Sequence, residues 1–375
     1  MLISANFDGG NIEVINQDDI NNVQLAIRPD EGGEFFQWFN FRLQGEVGQR
    51  YTLNIMNAGE ASYTKGWEGY QAAATYDRQQ WFRLPTQYQD GKLTIEVELD
   101  CEMIQIAYFA PYSYERHQDL ISAVQVHPLV SIEHLGTTLD DRDMTLVKVG
   151  DEDEEKAKIW ITARQHPGET MAEWLVEGLL NNLLDGDCPT AKALLDKANF
   201  YIVPNMNPDG GVRGHLRTNA KGVNLNREWQ SPSLEKSPEV YHVVNRMKET
   251  GVDLYYDVHG DEGLPYVFLA GCEGVPGYTQ AMANLQADFV NALLMASADF
   301  QDEFGYDKDE AGQANLTVAS NWVAQTFGCL SNTLEMPFKD NANMPDPMSG
   351  WSPERCIYLG EASLLAMLAV VDRLR

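Results

Sequence analysis

The sequence predicts a chain of class α/β in which a sheet covered by helices on both faces follows an antiparallel β-sandwich. Three observations predict it. The first hundred or so residues carry period-two alternation broken by Gly and Asn clusters, as in a sandwich. After Pro111-Tyr112-Ser113-Tyr114 strand patterns alternate with helical spacings, the mark of a sheet between helices. The 375 residues exceed what one ordinary core accommodates, so two domains are expected, 1–112 and 113–375.

The elements follow in chain order. Phe35 to Leu43 is aromatic-rich with apolar residues on both faces, and is expected as a central strand. Tyr51-Thr52-Leu53-Asn54-Ile55 and Lys92 to Asp100 alternate strictly, so each is a strand with one wet face. Met144 to Val149 and Lys158 to Ala163 flank the acidic run Asp151-Glu152-Asp153-Glu154-Glu155, and read as a hairpin with a solvated turn. Thr170 to Leu184 has helical apolar spacing. Asn199 to Val203 and Asp253 to Val258 are strands, Leu285 to Ala298 is a helix, and Cys329 to Leu334 is a strand again. Ser352-Pro353-Glu354 supplies a capping hydroxyl, a proline at the first helical position and an acid in the first turn, opening a helix expected to run to Arg375.

Composition excludes several classes of function. A formal charge of -29 opposes binding to nucleic acid or to an anionic membrane, both of which need clustered Lys and Arg. Five cysteines with no Cys-x-x-Cys spacing give neither a disulfide framework nor a cysteine zinc site. The amino terminus has no basic stretch leading into an apolar one, and the longest apolar run, Leu364 to Val371, is too short for a bilayer. A cytoplasmic location is therefore the expectation.

The chemistry lies in Gln165-His166-Pro167-Gly168-Glu169-Thr170 and in Asp257-Val258-His259-Gly260. A catalytic zinc site takes two or three neutral imidazoles and a carboxylate and keeps one position open for water. His166, Glu169 and His259 meet that count. Pro167 and Gly168 forbid regular helix, so the first two side chains must converge across a turn at a strand end. Asn226 and Arg227 join an amide to a planar guanidinium, a natural receptor for a carboxylate. Arg217 is a second cation, suited to an oxyanion, and Glu335 is the candidate general base. Taken singly, each has a plainer explanation: Arg227 pairing with Glu228 or Glu239, His215 as a structural residue near Arg217, and Asp257 as an outer carboxylate orienting His259.

His-Pro-Gly-Glu-Thr, Asn207-Pro208-Asp209-Gly210, Asn-Leu-Asn-Arg-x-Trp at 224–229, Asp-Val-His-Gly and Thr333-Leu334-Glu335 occur in one order along the chain. In this the sequence resembles the zinc metallocarboxypeptidases of the carboxypeptidase A superfamily, and within them the cytosolic carboxypeptidases. Phe7-Asp8-Gly9-Gly10-Asn11-Ile12 and Pro111-Tyr112-Ser113-Tyr114 extend the likeness to an amino-terminal β-sandwich. The resemblance implies a mixed-sheet zinc carboxypeptidase domain, one Zn2+ per chain on His166, Glu169 and His259, and carboxylate binding by Asn226 and Arg227. It further implies oxyanion stabilisation by Arg217 and proton transfer by Glu335. The implied substrate is the C-terminal tail of a peptide or protein, with no nucleic acid or membrane partner.

The sequence departs from its relatives in two respects. No motif singles out Tyr266, Tyr278 or Tyr306 as a tyrosine closing over the substrate. The segment from Ala314 to Leu334, leading to Glu335, contains no Lys or Arg, which argues against removal of glutamate. Two other readings use the same residues: an N-acyl amino acid deacylase, and a silent module that holds peptide tails. The sandwich offers a surface for a partner or for a homo-oligomer, and nothing in its sequence names either.

Overall fold

The structure, a computed structural model, describes residues 1–151 and 153–374; Glu152 of the acidic run and Arg375 lie outside them. Two five-stranded sheets come first. One is ordered Leu2–Ser4, Asn40–Gln44, Met103–Ala107, Ala73–Thr75, Phe82–Arg83, and the other Glu13–Asn16, Val23–Ala26, Arg50–Ile55, Lys92–Glu98, Thr86–Gln89. Alternation turns Phe41, Leu43, Ile104 and Ile106 of the first toward Leu53, Ile55, Leu93 and Ile95 of the second, in one buried core. The pairing is antiparallel except between Val23–Ala26 and Arg50–Ile55, which run parallel.

The predicted strand Phe35–Leu43 begins only at Asn40. The aromatic residues before it have other backbone partners. The Phe36 amide donates to the Ser62 hydroxyl and its carbonyl accepts from the Ser62 amide, while the Gln37 side chain donates to the Tyr63 carbonyl and accepts from the Tyr63 amide. The run is thereby tied to the loop Ser62–Gly66.

A seven-stranded mixed sheet follows, ordered Val130–Thr137, Asp143–Val149, Ala198–Val203, Ala157–Ala163, Leu254–Asp261, Leu330–Pro337, Phe268–Ala270. The predicted hairpin across the acidic run does not form. Ala198–Val203 inserts between its two arms, antiparallel to Asp143–Val149 and parallel to Ala157–Ala163, and Val130–Thr137 pairs with the other edge of Asp143–Val149. Both faces are covered, as expected for parallel central strands. Trp160 and Tyr255 meet Val240, Val243 and Met247 of the helix Pro238–Thr250. On the other face Ile161, Tyr256 and Val258 meet Leu175 of Met171–Leu183, Phe289 of Gln280–Ala296 and Leu364 of Pro353–Val370. The Ser352 hydroxyl accepts from the Arg355 amide, capping the last helix at the predicted residue. Among the described residues no helix is long and apolar enough to cross a membrane.

Two glycines set how closely the sheet's helices approach. A Cβ on Gly360 would lie 2.2 Å from the Leu175 carbonyl oxygen, and one on Gly178 2.2 Å from that of Ile357. Gly360→Ala must push these backbones apart, so a loss of about 1–3 kcal/mol or more is expected by chemical denaturation. A Gly360→Ala variant as stable as the parent would contradict this packing.

Glu239, in the first turn of Pro238–Thr250, is fully buried, and the Asn219 side-chain amide lies at 3.3 and 3.4 Å from its two carboxyl oxygens. Burial pushes its pKa up to about 8 from an ordinary 4.5. The folded state therefore binds the proton more tightly than the unfolded one. The stability this residue contributes is full below about 4.5 and is lost as pH rises through about 8. Glu239→Gln should flatten that decline, as measured by denaturant midpoints at about pH 6 and about pH 9.

Candidate active site

Parallel pairing brings the distant motifs together. Leu254–Asp261 lies between Ala157–Ala163 and Leu330–Pro337, and His259 and Glu335 are direct Cα partners across the latter pair. Both residues lie within their strands, which run on to Asp261 and Pro337, each three residues beyond the predicted end. From Ala163 the chain turns through Arg164, at a left-handed φ of 60°, into the His166–Glu169 turn and then the helix Met171–Leu183. The Gly168 amide donates to the Leu216 carbonyl at 2.9 Å, and a Cβ on Gly168 would stand 2.8 Å from that oxygen. Only glycine lets this turn press on the segment carrying Arg217.

His166, Glu169 and His259 are buried and each offers one ligand atom, all within 4.8 Å of one another. His166 Nδ1 lies 2.6 Å from Glu169 Oε1, and His259 Nδ1 lies 2.7 Å from Glu169 Oε2. The opposite nitrogens are anchored as well: His166 Nε2 by Asn224 Oδ1 at 3.1 Å, and His259 Nε2 by Asp257 Oδ2 at 2.9 Å. Asn224 Oδ1 also accepts from the Asn226 amide, and Asp257 accepts from Thr162 Oγ1 and Gln165 Nε2, so both anchors are fixed as acceptors. Every ring nitrogen thus faces an acceptor oxygen, although a neutral imidazole carries one proton. Burial, then Arg217, lowers the His166 pKa to about 4, so this ring is neutral near pH 7. Its Nδ1 lone pair faces a carboxylate oxygen, an arrangement a cation satisfies. Burial opposes ionisation of Glu169, yet the two imidazoles hold its carboxyl well below the usual range. Two imidazole nitrogens, one carboxylate and fixed outer partners are a donor set suited to zinc.

Glu335 lines the same cleft of about 1220 Å³, and its Oε2 is buried with no hydrogen-bond partner among the described residues. Burial, opposed by His259 and reinforced by Glu169, Asp261 and Glu262, pushes its pKa well above the carboxylate range. A carboxyl that takes up a proton this readily is suited to proton transfer. The Asn226 side-chain oxygen, Oδ1, accepts from the Ala319 amide at 2.8 Å, which leaves its Nδ2 donors for the cleft. Arg227 makes no ion pair among the described residues. Its Nη1 donates to the Asn226 carbonyl, while Glu228 accepts from Ser237 and Glu239 from Asn219. Burial, then Arg217, lowers the Arg227 pKa, so the Arg227 guanidinium, which has no carboxylate partner among the described residues, favours an anion beside it in the cleft.

The structure also brings in residues without a sequence signal. Tyr63 and the loop Ser62–Gly66 come from the amino-terminal part of the chain, and Asp261, Glu262 and Tyr306 line the cleft with them. The Tyr306 hydroxyl donates to Asp261 Oδ2 at 2.6 Å. Tyr278 also lines the cleft, whereas Tyr266 stacks on Phe304. Glu262 is buried, and burial raises its pKa to about 8. His215 is buried and does not line the cleft; its Nε2 accepts from the Glu31 amide and its Nδ1 meets the Thr218 carbonyl.

Residues 118–354 match the family model described as zinc carboxypeptidase, and residues 3–109 match the cytosolic carboxypeptidase N-terminal domain. A solved structure from Shewanella denitrificans is 78% identical, covers 100% of this chain and 99% of its own, and superposes with a TM-score of 0.99. A metallo-carboxypeptidase from Pseudomonas aeruginosa, in complex with (2-guanidinoethylmercapto)succinic acid, is 46% identical over 100% of both chains, with a TM-score of 0.97. Mouse cytosolic carboxypeptidase 3 is 29% identical over 309 residues, 73% of this chain. This chain spans 30% of that relative's length.

Proposed function

The chain belongs to the zinc carboxypeptidase family and is a metallocarboxypeptidase; from that premise we propose that it holds one zinc ion on His166, Glu169 and His259 and hydrolyses the C-terminal peptide bond of peptides or protein tails. The observation that carries this reading is the convergence of three buried donors within 4.8 Å beside a partnerless carboxyl oxygen on the neighbouring strand. We also place its action in the cytoplasm and set the domain boundary at 112/113.

Zinc supplies, when bound, a Lewis acid that polarises a carbonyl and makes water more acidic. In the proposed reaction Asn226 and Arg227 hold the terminal carboxylate, which brings the last peptide bond to Glu335. Glu335 takes the proton of the attacking water and later gives it to the departing amine. The guanidinium of Arg217 faces the oxygen on which negative charge develops. The deacylase and silent-binder readings are not favoured by the relatives above.

The cleft lining supports basic rather than acidic tails. Glu273, Asp302, Glu303, Asp307 and Asp309 line it, against Lys65 and Lys308, and Lys308 is already paired with Glu273. The ligand of the Pseudomonas relative likewise joins a guanidino group to a dicarboxylic acid. The test is mass spectrometry of a peptide library varied at the last residue, incubated with the zinc-loaded protein and with Glu335→Gln. Glu335-dependent loss of single residues, fastest for Lys and Arg, is expected. An untouched library would overturn the proposal, and faster loss of glutamate would overturn the preference. Arg227→Ala should raise KM about ten- to a hundredfold on cleaved tails with a smaller change in kcat; an unchanged KM would mean the carboxylate is held elsewhere.

A further inference from the structure

We propose that the amino-terminal sandwich completes the active site: the carboxylate of Asp30 and the rings of Phe35 and Tyr63 are positioning elements for Arg217. The inference rests on the oxyanion role given to Arg217 above, and it assigns a catalytic purpose to residues 1–112.

Asp30 lies between the sandwich and the catalytic sheet and is 2% exposed. Its Oδ1 accepts from the Leu216 amide at 2.6 Å. Its Oδ2 accepts from the amides of Arg217 and Thr218 and from Thr218 Oγ1, each at 2.9 Å. One carboxylate from the amino-terminal sandwich therefore binds three successive amides of the segment that carries the arginine. Charge-assisted hydrogen bonds of this kind are short and directional, so they fix where the Arg217 backbone sits. The carbonyl of Leu216 meanwhile accepts from Gly168, inside the His166–Glu169 turn. Asp30 thus sets Arg217 at a defined place relative to two of the proposed zinc ligands.

The side chain is held by the same sandwich. The Arg217 guanidinium carbon lies 5.7 Å from the Phe35 ring centre and 5.5 Å from that of Tyr63. Among the described residues no hydrogen bond joins this guanidinium to a protein acceptor. Ring contacts restrain a guanidinium through cation–π attraction and leave its N–H groups free. A carboxylate partner would occupy those donors. Oxyanion stabilisation needs donors fixed before charge develops, and free to meet it. Rings for the guanidinium and a carboxylate for its backbone meet both needs. The loop also fits tightly: a Cβ on Gly222 would lie 2.2 Å from the Gly32 carbonyl oxygen.

A purely structural Asp30 would act as a fastener between the two parts, with losses independent of Arg217. The full-length zinc-loaded protein separates the two roles through Asp30→Asn, Arg217→Ala, the double variant, and Tyr63→Leu. Each is assayed on the tail peptide that the parent cleaves, with zinc content and melting temperature measured alongside. Asp30→Asn should lower kcat on the order of a hundredfold, as misplacement by about 1 Å does, while KM and zinc content stay near the parent's. In the Arg217→Ala background the same substitution should cost little, because the residue it positions is gone. Additive losses, or an unchanged kcat in Asp30→Asn, would overturn the inference.

A second readout needs no turnover. In ¹⁵N-labelled protein the Arg217 Nε–H resonance, identified by its loss in Arg217→Ala, should be shifted by the two rings. It should move to the position of an exposed arginine in both Asp30→Asn and Tyr63→Leu. An unmoved resonance would overturn the positioning role, and Tyr63→Leu carries this arm if Asp30→Asn does not fold. A parent-like kcat in Arg217→Ala would instead sink the oxyanion reading, while the resonance would still decide whether Asp30 and Tyr63 position the arginine.

Discussion

Glu335→Gln is expected to lower turnover by about two to four orders of magnitude while the protein keeps its zinc and its fold. The substitution conserves shape, so the parallel pairing of Leu330–Pro337 with Leu254–Asp261 has no reason to change. It removes the one property the geometry singles out. Glu335 is 6% exposed, its Oε2 has no partner among the described residues, and burial drives its pKa well up. A glutamine in that place neither takes a proton from water nor returns one to an amine. KM for tail peptides should hold near the parent value, because Asn226 and Arg227, the proposed carboxylate receptors, are untouched. Steady-state kinetics with metal analysis of the same samples decides the matter. Turnover close to the parent's would remove Glu335 from proton transfer, and loss of zinc would make it part of the metal site instead.

How much of this was legible in the sequence depended on how local each feature is. His166-Pro167-Gly168-Glu169 was readable because Pro and Gly settle the turn within four residues. Ser352-Pro353-Glu354 was readable for the same reason, and the Ser352 hydroxyl does cap the helix at that residue. The strands bearing His259 and Glu335 were found, but each runs past its predicted end because burial on both faces removes the alternation that would mark it. The hairpin across the acidic run failed on a non-local fact. Ala198–Val203 takes the place beside Ala157–Ala163, and alternation within a strand says nothing about which strand lies next to it.

The sandwich's part in the cleft was the least visible. Asp30 sits in a Pro-Asp-Glu-Gly-Gly loop that reads as an ordinary turn, and Tyr63 sits in a short stretch with no periodicity. Phe35 and Phe36 were legible as apolar but not as an arm, because their backbone partners lie at Asp30 and Ser62. Contacts such as Asp30 with Leu216, 186 residues apart, are specified only once both parts have folded.

His166→Ala and Asp257→Asn are expected to weaken zinc binding to different degrees, and the difference tests the layering of the site. His166 offers Nδ1 within the buried trio, so its loss leaves two of three protein donors. Among the described residues Asp257 reaches the proposed metal site through His259 Nε2, at 2.9 Å, and is itself held by Thr162 and Gln165. An outer partner of this kind orients the ring and raises its basicity, and losing one costs about 10–100-fold in metal affinity. Asp257→Asn should fall in that range, with activity restored by added zinc. His166→Ala should exceed it and remain inactive at zinc concentrations that rescue the other variant. Competition titrations with a chelating dye, run beside the activity assay, give both affinities. Equal losses would mean that Asp257 is itself a ligand or that His166 is not, and either result would redraw the trio around His259.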